Sequence, residues 1–271
     1  MHVGTNEAGS GAFHSWVMAM LPNDTEMGGS RRSFPTTHWS MLAAVRGEMT
    51  EGHRAVLNLL IERYWKPVYC YVRRRGHGNE DAKDLVQEFF TSWLHRDLFG
   101  QANPSRGRFR SFLLSCLNNF LSNARRAAHA ARRRPEKGFV SVHQLATDNR
   151  AAMEPVEQDT PEAAFQRAWA EELILRVLKR LERECSETAK ADHYELFRQR
   201  IIRPALEGCQ APPMVELAKG LGLTEKQAAN HLVTARRAYQ RLLREEIRAF
   251  ASSEEDVAAE VQDLFTFLAM A

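Results

Sequence analysis

Acidic residues are missing altogether between Leu98 and Pro135, a stretch that carries eight arginines, at positions 106, 108, 110, 125, 126, 132, 133 and 134. With no local counter-charge, that block excludes a balanced solvated surface and points to an anionic partner such as a nucleic-acid backbone. Cysteine is scarce: the four, at 70, 116, 185 and 209, form no Cys-x-x-Cys pair, so reduced thiols in a cytoplasm are expected. The ten histidines never fall in His-x-x-x-His or Glu-x-x-His spacing, and no phosphate-binding glycine loop is present. No metal, cofactor or catalytic constellation is therefore expected. Long apolar runs are lacking too. Residues 13–21 are mildly apolar, but they have no basic flank and are too short to span a bilayer, so neither a signal peptide nor a membrane anchor is expected.

What is present is helical periodicity. At 271 residues, 44% hydrophobic and 26% charged, the chain can bury two small cores, and the patterning favours an all-α fold of two small helical domains joined by a linker. Residues 1–32, rich in Gly, Ser and Asn without a sustained period, read as a disordered leader. A first domain is expected over 33–135, opening with a short helix around Trp39 and Leu42. It continues with a helix over 53–75, a Gly76-His77-Gly78 turn and a helix over 79–96, forming an antiparallel hairpin against which a helix over 108–134 packs. Residues 136–162 lose the period and contain Pro155 and Pro161, the mark of a linker. Helical pattern resumes at Phe165, giving a second domain over 163–250, and Val257, Val261, Leu264 and Leu268 give a C-terminal helical extension over 251–271.

Two neighbouring helices have opposite chemistry. In the first, with Asn79 as its N-cap, Ala82, Leu85, Val86, Phe89, Phe90 and Trp93 mark the buried face. Asp81, Asp84, Gln87 and Glu88 lie elsewhere, an acidic and amide-bearing surface suited to a basic partner. In the second, Phe109, Phe112, Leu113, Leu117 and Phe120 turn inward, leaving Asn118, Asn119, Asn123, Arg125 and Arg126 outside. An acidic helix face is usually only solvated, and an Arg run can be an ordinary helix end; the absence of acids around the run favours phosphate. Farther on, Met214 to Arg237 has the spacing of a helix-turn-helix: small Ala218 at the helix crossing, Gly222 in the turn, and a Thr224/Gln227 capping box. Lys226, Asn230, His231, Thr234, Arg236 and Arg237 would face a groove or its flanking phosphates.

The run Asp81-Ala-Lys-Asp-Leu-Val-Gln-Glu-Phe-Phe, followed by Phe109-Arg-Ser-Phe-Leu-Leu-Ser-Cys-Leu-Asn-Asn-Phe and an Arg-rich tail, resembles the second domain of bacterial RNA polymerase sigma factors, in particular the two-domain extracytoplasmic-function kind. The segment 213–237 is similar to the fourth region of the same family. The resemblance implies a transcription initiation factor and not an enzyme, directing core polymerase to promoters and nucleating melting of the downstream element. It implies that Asp81, Asp84, Gln87 and Glu88 bind the clamp helices of the largest polymerase subunit. Asn118, Asn119, Asn123, Arg125 and Arg126 would hold the downstream element, with Phe99, Gln101 and Asn103 of the intervening loop capturing an unstacked base. The helix-turn-helix residues would meet the upstream element and the flap of the second-largest subunit. An anti-sigma factor acting on the C-terminal extension is a further partner that the resemblance allows. Where the family more often has Val-Lys-x-Arg, this chain has Ala229-Asn230-His231-Leu232, two cations fewer.

Two rival readings remain. A dimeric helix-turn-helix repressor would account for 213–237 but leaves the acidic helix and the 98–135 block without a role. An all-helical, magnesium-dependent prenyl synthase would use Glu80-Asp81-Ala-Lys-Asp84 as a metal motif, but needs a facing acid-rich helix that the sequence does not contain.

Overall fold

A computed structural model of the chain describes residues 51–95, 108–131, 160–251 and 253–269. The leader, the helix around Trp39, the loop with Phe99, Gln101 and Asn103, Arg132 to Arg134 and most of the expected linker lie outside the described residues. Those described are helical, with no strand among them: α1 (Glu51–Arg74), α2 (Asn79–His95), α3 (Phe109–Ala131), α4 (Pro161–Glu187), α5 (Ala191–Phe197), a π-helical turn (Arg198–Ile202), α6 (Arg203–Glu207), α7 (Met214–Gly220), α8 (Glu225–Arg248) and α9 (Glu254–Ala269). They form two compact units that divide inside α4, between Phe165 and Gln166.

The first unit is built on aromatic residues. Val86, Phe89, Phe90 and Trp93 of α2 are all buried, each stabilising the unit by about 1.5–3 kcal/mol through removal from water. Phe89 meets Trp93 edge-on at 5.5 Å and Phe120 of α3 at 5.6 Å, while Trp93 meets Phe112 at 6.0 Å. Tyr64 of α1 packs on Phe109 at 5.3 Å and stacks on Phe165 of α4 at 6.4 Å. Helix α1 passes through Pro67 without a break. The turn after it uses Gly76 at φ 93°, a left-handed value that only glycine takes without strain.

The start of α2 differs in detail from expectation. Ala82 N–H bonds the carbonyl of Gly78 at 2.9 Å, making Gly78 the N-cap residue. Asn79 is the first helical residue, and its side-chain oxygen accepts from Tyr69 Oη at 2.7 Å instead of capping the helix. Helix α4 also begins earlier than the lost period suggests. Ala163 N–H bonds Thr160 Oγ1 at 3.1 Å, so Thr160 caps the helix and Pro161 takes the first position, where its missing N–H costs nothing.

In the second unit, α5, the π-helical turn and α6 run on continuously, ending at Gly208. Leu196 of α5, Ala218 of α7 and Ala228 of α8 form a buried cluster, with Met214, Leu217, Leu221 and Leu223 packed around it. Helix α4 is tied to α8 by ion pairs: Arg180 reaches Glu246 at 2.6 Å and Glu245 at 3.0 Å, and Arg241 reaches Glu184 at 2.6 Å. Helix α9 packs on α8 through a face that buries Val257 and Leu264.

Candidate nucleic-acid and protein interfaces

Two surfaces of the first unit carry the polar residues singled out in the sequence. On α2, burial of the aromatic face forces the opposite side outward: Asp81, Asp84 and Glu88 are exposed and Gln87 is half-buried. Neither Asp84 nor Glu88 makes an ion pair among the described residues, whereas Lys83 is paired with Glu80 at 2.9 Å. Uncompensated carboxylates one helical turn apart create a local negative potential that a basic surface can neutralise.

On α3 the exposed side is polar and free of acids. Asn119, Asn123, Arg125 and Arg126 are exposed, together with Ser111, Ser115 and Ser122. Arg126 Nη2 donates to Asn123 Oδ1 at 2.9 Å, so this Arg and Asn present one joined edge. Asn118 departs from the outward placement expected of it. It is half-buried, and its side-chain oxygen accepts from Tyr71 Oη at 2.7 Å. Arg110 is only 4% exposed and so cannot contribute to an outward basic surface, although the sequence counts it among the eight arginines.

Tyr71 is fully buried, yet it is a polar hub that periodicity did not single out. Its hydroxyl also lies 3.1 Å from Glu162 Oε1, in the first turn of α4. Burial, the largest cause, pushes its phenol up from the ordinary value, and Glu162 reinforces the rise. The hydroxyl stays protonated at any physiological pH.

In the second unit the helix-turn-helix geometry follows from local chemistry. Helix α7 ends in a Schellman motif: Leu223 N–H bonds Ala218 O at 2.9 Å and Gly222 N–H bonds Lys219 O at 3.2 Å, with Gly222 at φ 68°. Thr224 then caps α8. Its hydroxyl accepts from Gln227 N–H at 3.3 Å, and the Gln227 side-chain oxygen accepts from Thr224 N–H at 2.9 Å. Lys226, Asn230, Thr234 and Arg237 recur at helical spacing and are all exposed, a single stripe along α8. Thr234 Oγ1 donates to Asn230 O at 2.9 Å.

His231 and Arg236 do not share that exposure. The His231 ring stacks on His193 of α5, centroids 3.9 Å apart and planes 13° from parallel. Burial chiefly, then the neighbouring His231, hold the His193 imidazole below its ordinary pKa. Arg236 is half-buried, and burial together with Arg200 lowers its guanidinium from the usual value. Arg200, in the π-helical turn, donates to the carbonyls of Ala211 at 2.9 Å and Pro212 at 2.7 Å, fixing the approach to α7. The sequence signal for both differences was weak, because each residue lies at the edge of the outward stripe.

Among the described residues, no group of three or more His, Cys, Asp or Glu side chains stands close enough to hold a metal ion. No helix among them is long and apolar enough to cross a membrane. Residues 60–131, from the middle of α1 to the end of α3, match the family model for sigma-70 region 2. No curated protein and no solved structure matches the chain.

Proposed function

For a chain that is a sigma-70-family sigma factor, binding core RNA polymerase and promoter DNA through its region 2 domain, we propose that the two outward faces of α2 and α3 divide the work. Asp81, Asp84, Gln87 and Glu88 engage the clamp helices of the largest polymerase subunit. Asn118, Asn119, Asn123, Arg125 and Arg126 hold the downstream promoter element, with Phe99 and Asn103 taking an extruded base. Melting is then driven by binding energy, with no nucleotide hydrolysis. Sigma factors are not enzymes, and the alternatives of a repressor and a prenyl synthase have nothing in their favour.

We further infer the extracytoplasmic-function type, a two-domain cytoplasmic factor. Its second unit, by way of Lys226, Asn230, Thr234 and Arg237, meets the upstream element and the flap of the second-largest subunit. His231 and Arg236 are held back from that stripe, so they act on DNA only at its margin. An anti-sigma factor remains a candidate partner for α9.

The observation that carries this reading is the contrast between the two exposed faces: Asp84 and Glu88 without an ion pair among the described residues on α2, and Asn and Arg without a single acid on α3. Replacing Arg125 and Arg126 by Ala should lower the salt slope of holoenzyme binding to promoter DNA by about one unit per lost phosphate contact. An unchanged slope would remove both residues from the interface.

A further inference from the structure

Tyr71 places a fully buried hydroxyl directly beneath the proposed DNA-binding face. It lies 2.7 Å from Asn118 Oδ1 and 3.1 Å from Glu162 Oε1, and the phenol has one proton to give. The shorter contact is the one to Asn118. An amide held by its oxygen can offer only its nitrogen elsewhere. Asn118 is half-buried, and its Nδ2 makes no hydrogen bond among the described residues.

We propose that Tyr71 is a positioning residue that fixes the Asn118 amide with its N–H groups outward, so that α3 offers a hydrogen-bond donor to an acceptor atom of the promoter strand. This rests on the reading that Asn118 contacts DNA. The acceptor is a base-edge oxygen or ring nitrogen, or a phosphate oxygen; the chemistry is shared and the source is a matter for experiment. A free Asn side chain would rotate and offer either end. Tyr71 removes that choice before DNA arrives, which lowers the ordering cost of the contact. Were the proton given to Glu162 instead, the phenolic oxygen would accept from Asn118, and the amide oxygen would face outward.

The test uses reconstituted holoenzyme, the full chain with core polymerase, and duplexes that wild-type holoenzyme retains from a randomised library. Tyr71→Phe, Asn118→Ala, Asn118→Asp and the double variant Tyr71→Phe/Asn118→Ala are compared, with core-polymerase capture reporting the fold. Each single variant should weaken DNA binding about two- to ten-fold, the range of one net hydrogen bond. The double variant should be no weaker than Asn118→Ala alone, because Tyr71 acts through Asn118. Loss confined to duplexes that vary at one position assigns the acceptor to a base; uniform loss assigns it to a phosphate. Additive effects of Tyr71→Phe and Asn118→Ala would overturn the proposal. So would wild-type affinity in Asn118→Asp, which has no N–H to offer and is informative even if Tyr71→Phe fails to fold. Wild-type affinity in Asn118→Ala would instead refute the underlying reading that Asn118 touches DNA, and the role of Tyr71 with it.

Discussion

The stacked imidazoles of His193 and His231 show what a single contact does to an expected binding residue. A histidine in this register of α8 could reach a DNA groove only if its ring were not already in use, and here its face is covered by a neighbouring helix. The pair also makes stability depend on pH. Burial is the largest cause of the low pKa of His193; His231 and Lys190 beside it also disfavour its charged form, and Asp192 alone favours it. The unfolded chain takes up a proton near the ordinary value of about 6.5, the folded one only at lower pH. Stability is therefore intact above that value and falls as the pH drops below it. Thermal unfolding followed from pH 8 to pH 5.5 should show a steeper fall for the wild type than for His193→Gln; parallel profiles would remove this histidine from the acid response. Periodicity revealed which residues of α8 point outward, but not that a ring from α5 lies over one of them, because that depends on a contact 38 positions away in the chain.

Element boundaries carry a second lesson, since several were set by capping chemistry that is local and therefore readable. The joint between α7 and α8 was legible because Ala218, Gly222, Thr224 and Gln227 each have one obvious structural job at that spacing. Its stability follows from the same residues. Thr224→Ala removes a cap and should cost about 1 kcal/mol. Gly222→Ala forces a side chain into the left-handed region and should cost about 1–2 kcal/mol. Chemical denaturation of the full chain should show both losses in the transition that includes α8, and a Gly222→Ala variant as stable as wild type would contradict the assigned turn. The start of α4 was less legible. Pro161 reads equally as a linker breaker or as the first residue of a helix, and only the bond from Ala163 to Thr160 decides between them. Asn79 misled in the opposite way: a good capping residue has its side chain drawn off by Tyr69, and the preceding Gly78 takes the cap. Buried polar groups such as Tyr71 escape a reading based on apolar spacing altogether, since a tyrosine on the apolar face of a helix looks like any other core aromatic.

At the scale of the whole molecule, the proposed division of work rests on electrostatics. The net charge of +3 says little; its distribution separates α2 from α3 over a few tens of residues. The helical class and the likeness of residues 60–131 to sigma-70 region 2 were both legible, because α2 and α3 each combine a strict apolar stripe with an unusual polar one. Long-range attraction between a carboxylate-bearing helix and a basic partner gives orientation and association rate, and reversal of its sign adds repulsion to the loss. The direct measurement is the affinity of core RNA polymerase for the full chain carrying Asp84→Lys and Glu88→Lys, beside the Arg125→Ala/Arg126→Ala variant at the same salt concentration. The expected result is a loss of about a hundredfold or more for the charge reversal, with polymerase binding by the arginine variant unchanged. Wild-type polymerase affinity in the charge-reversed chain would contradict the assignment of α2 to the polymerase.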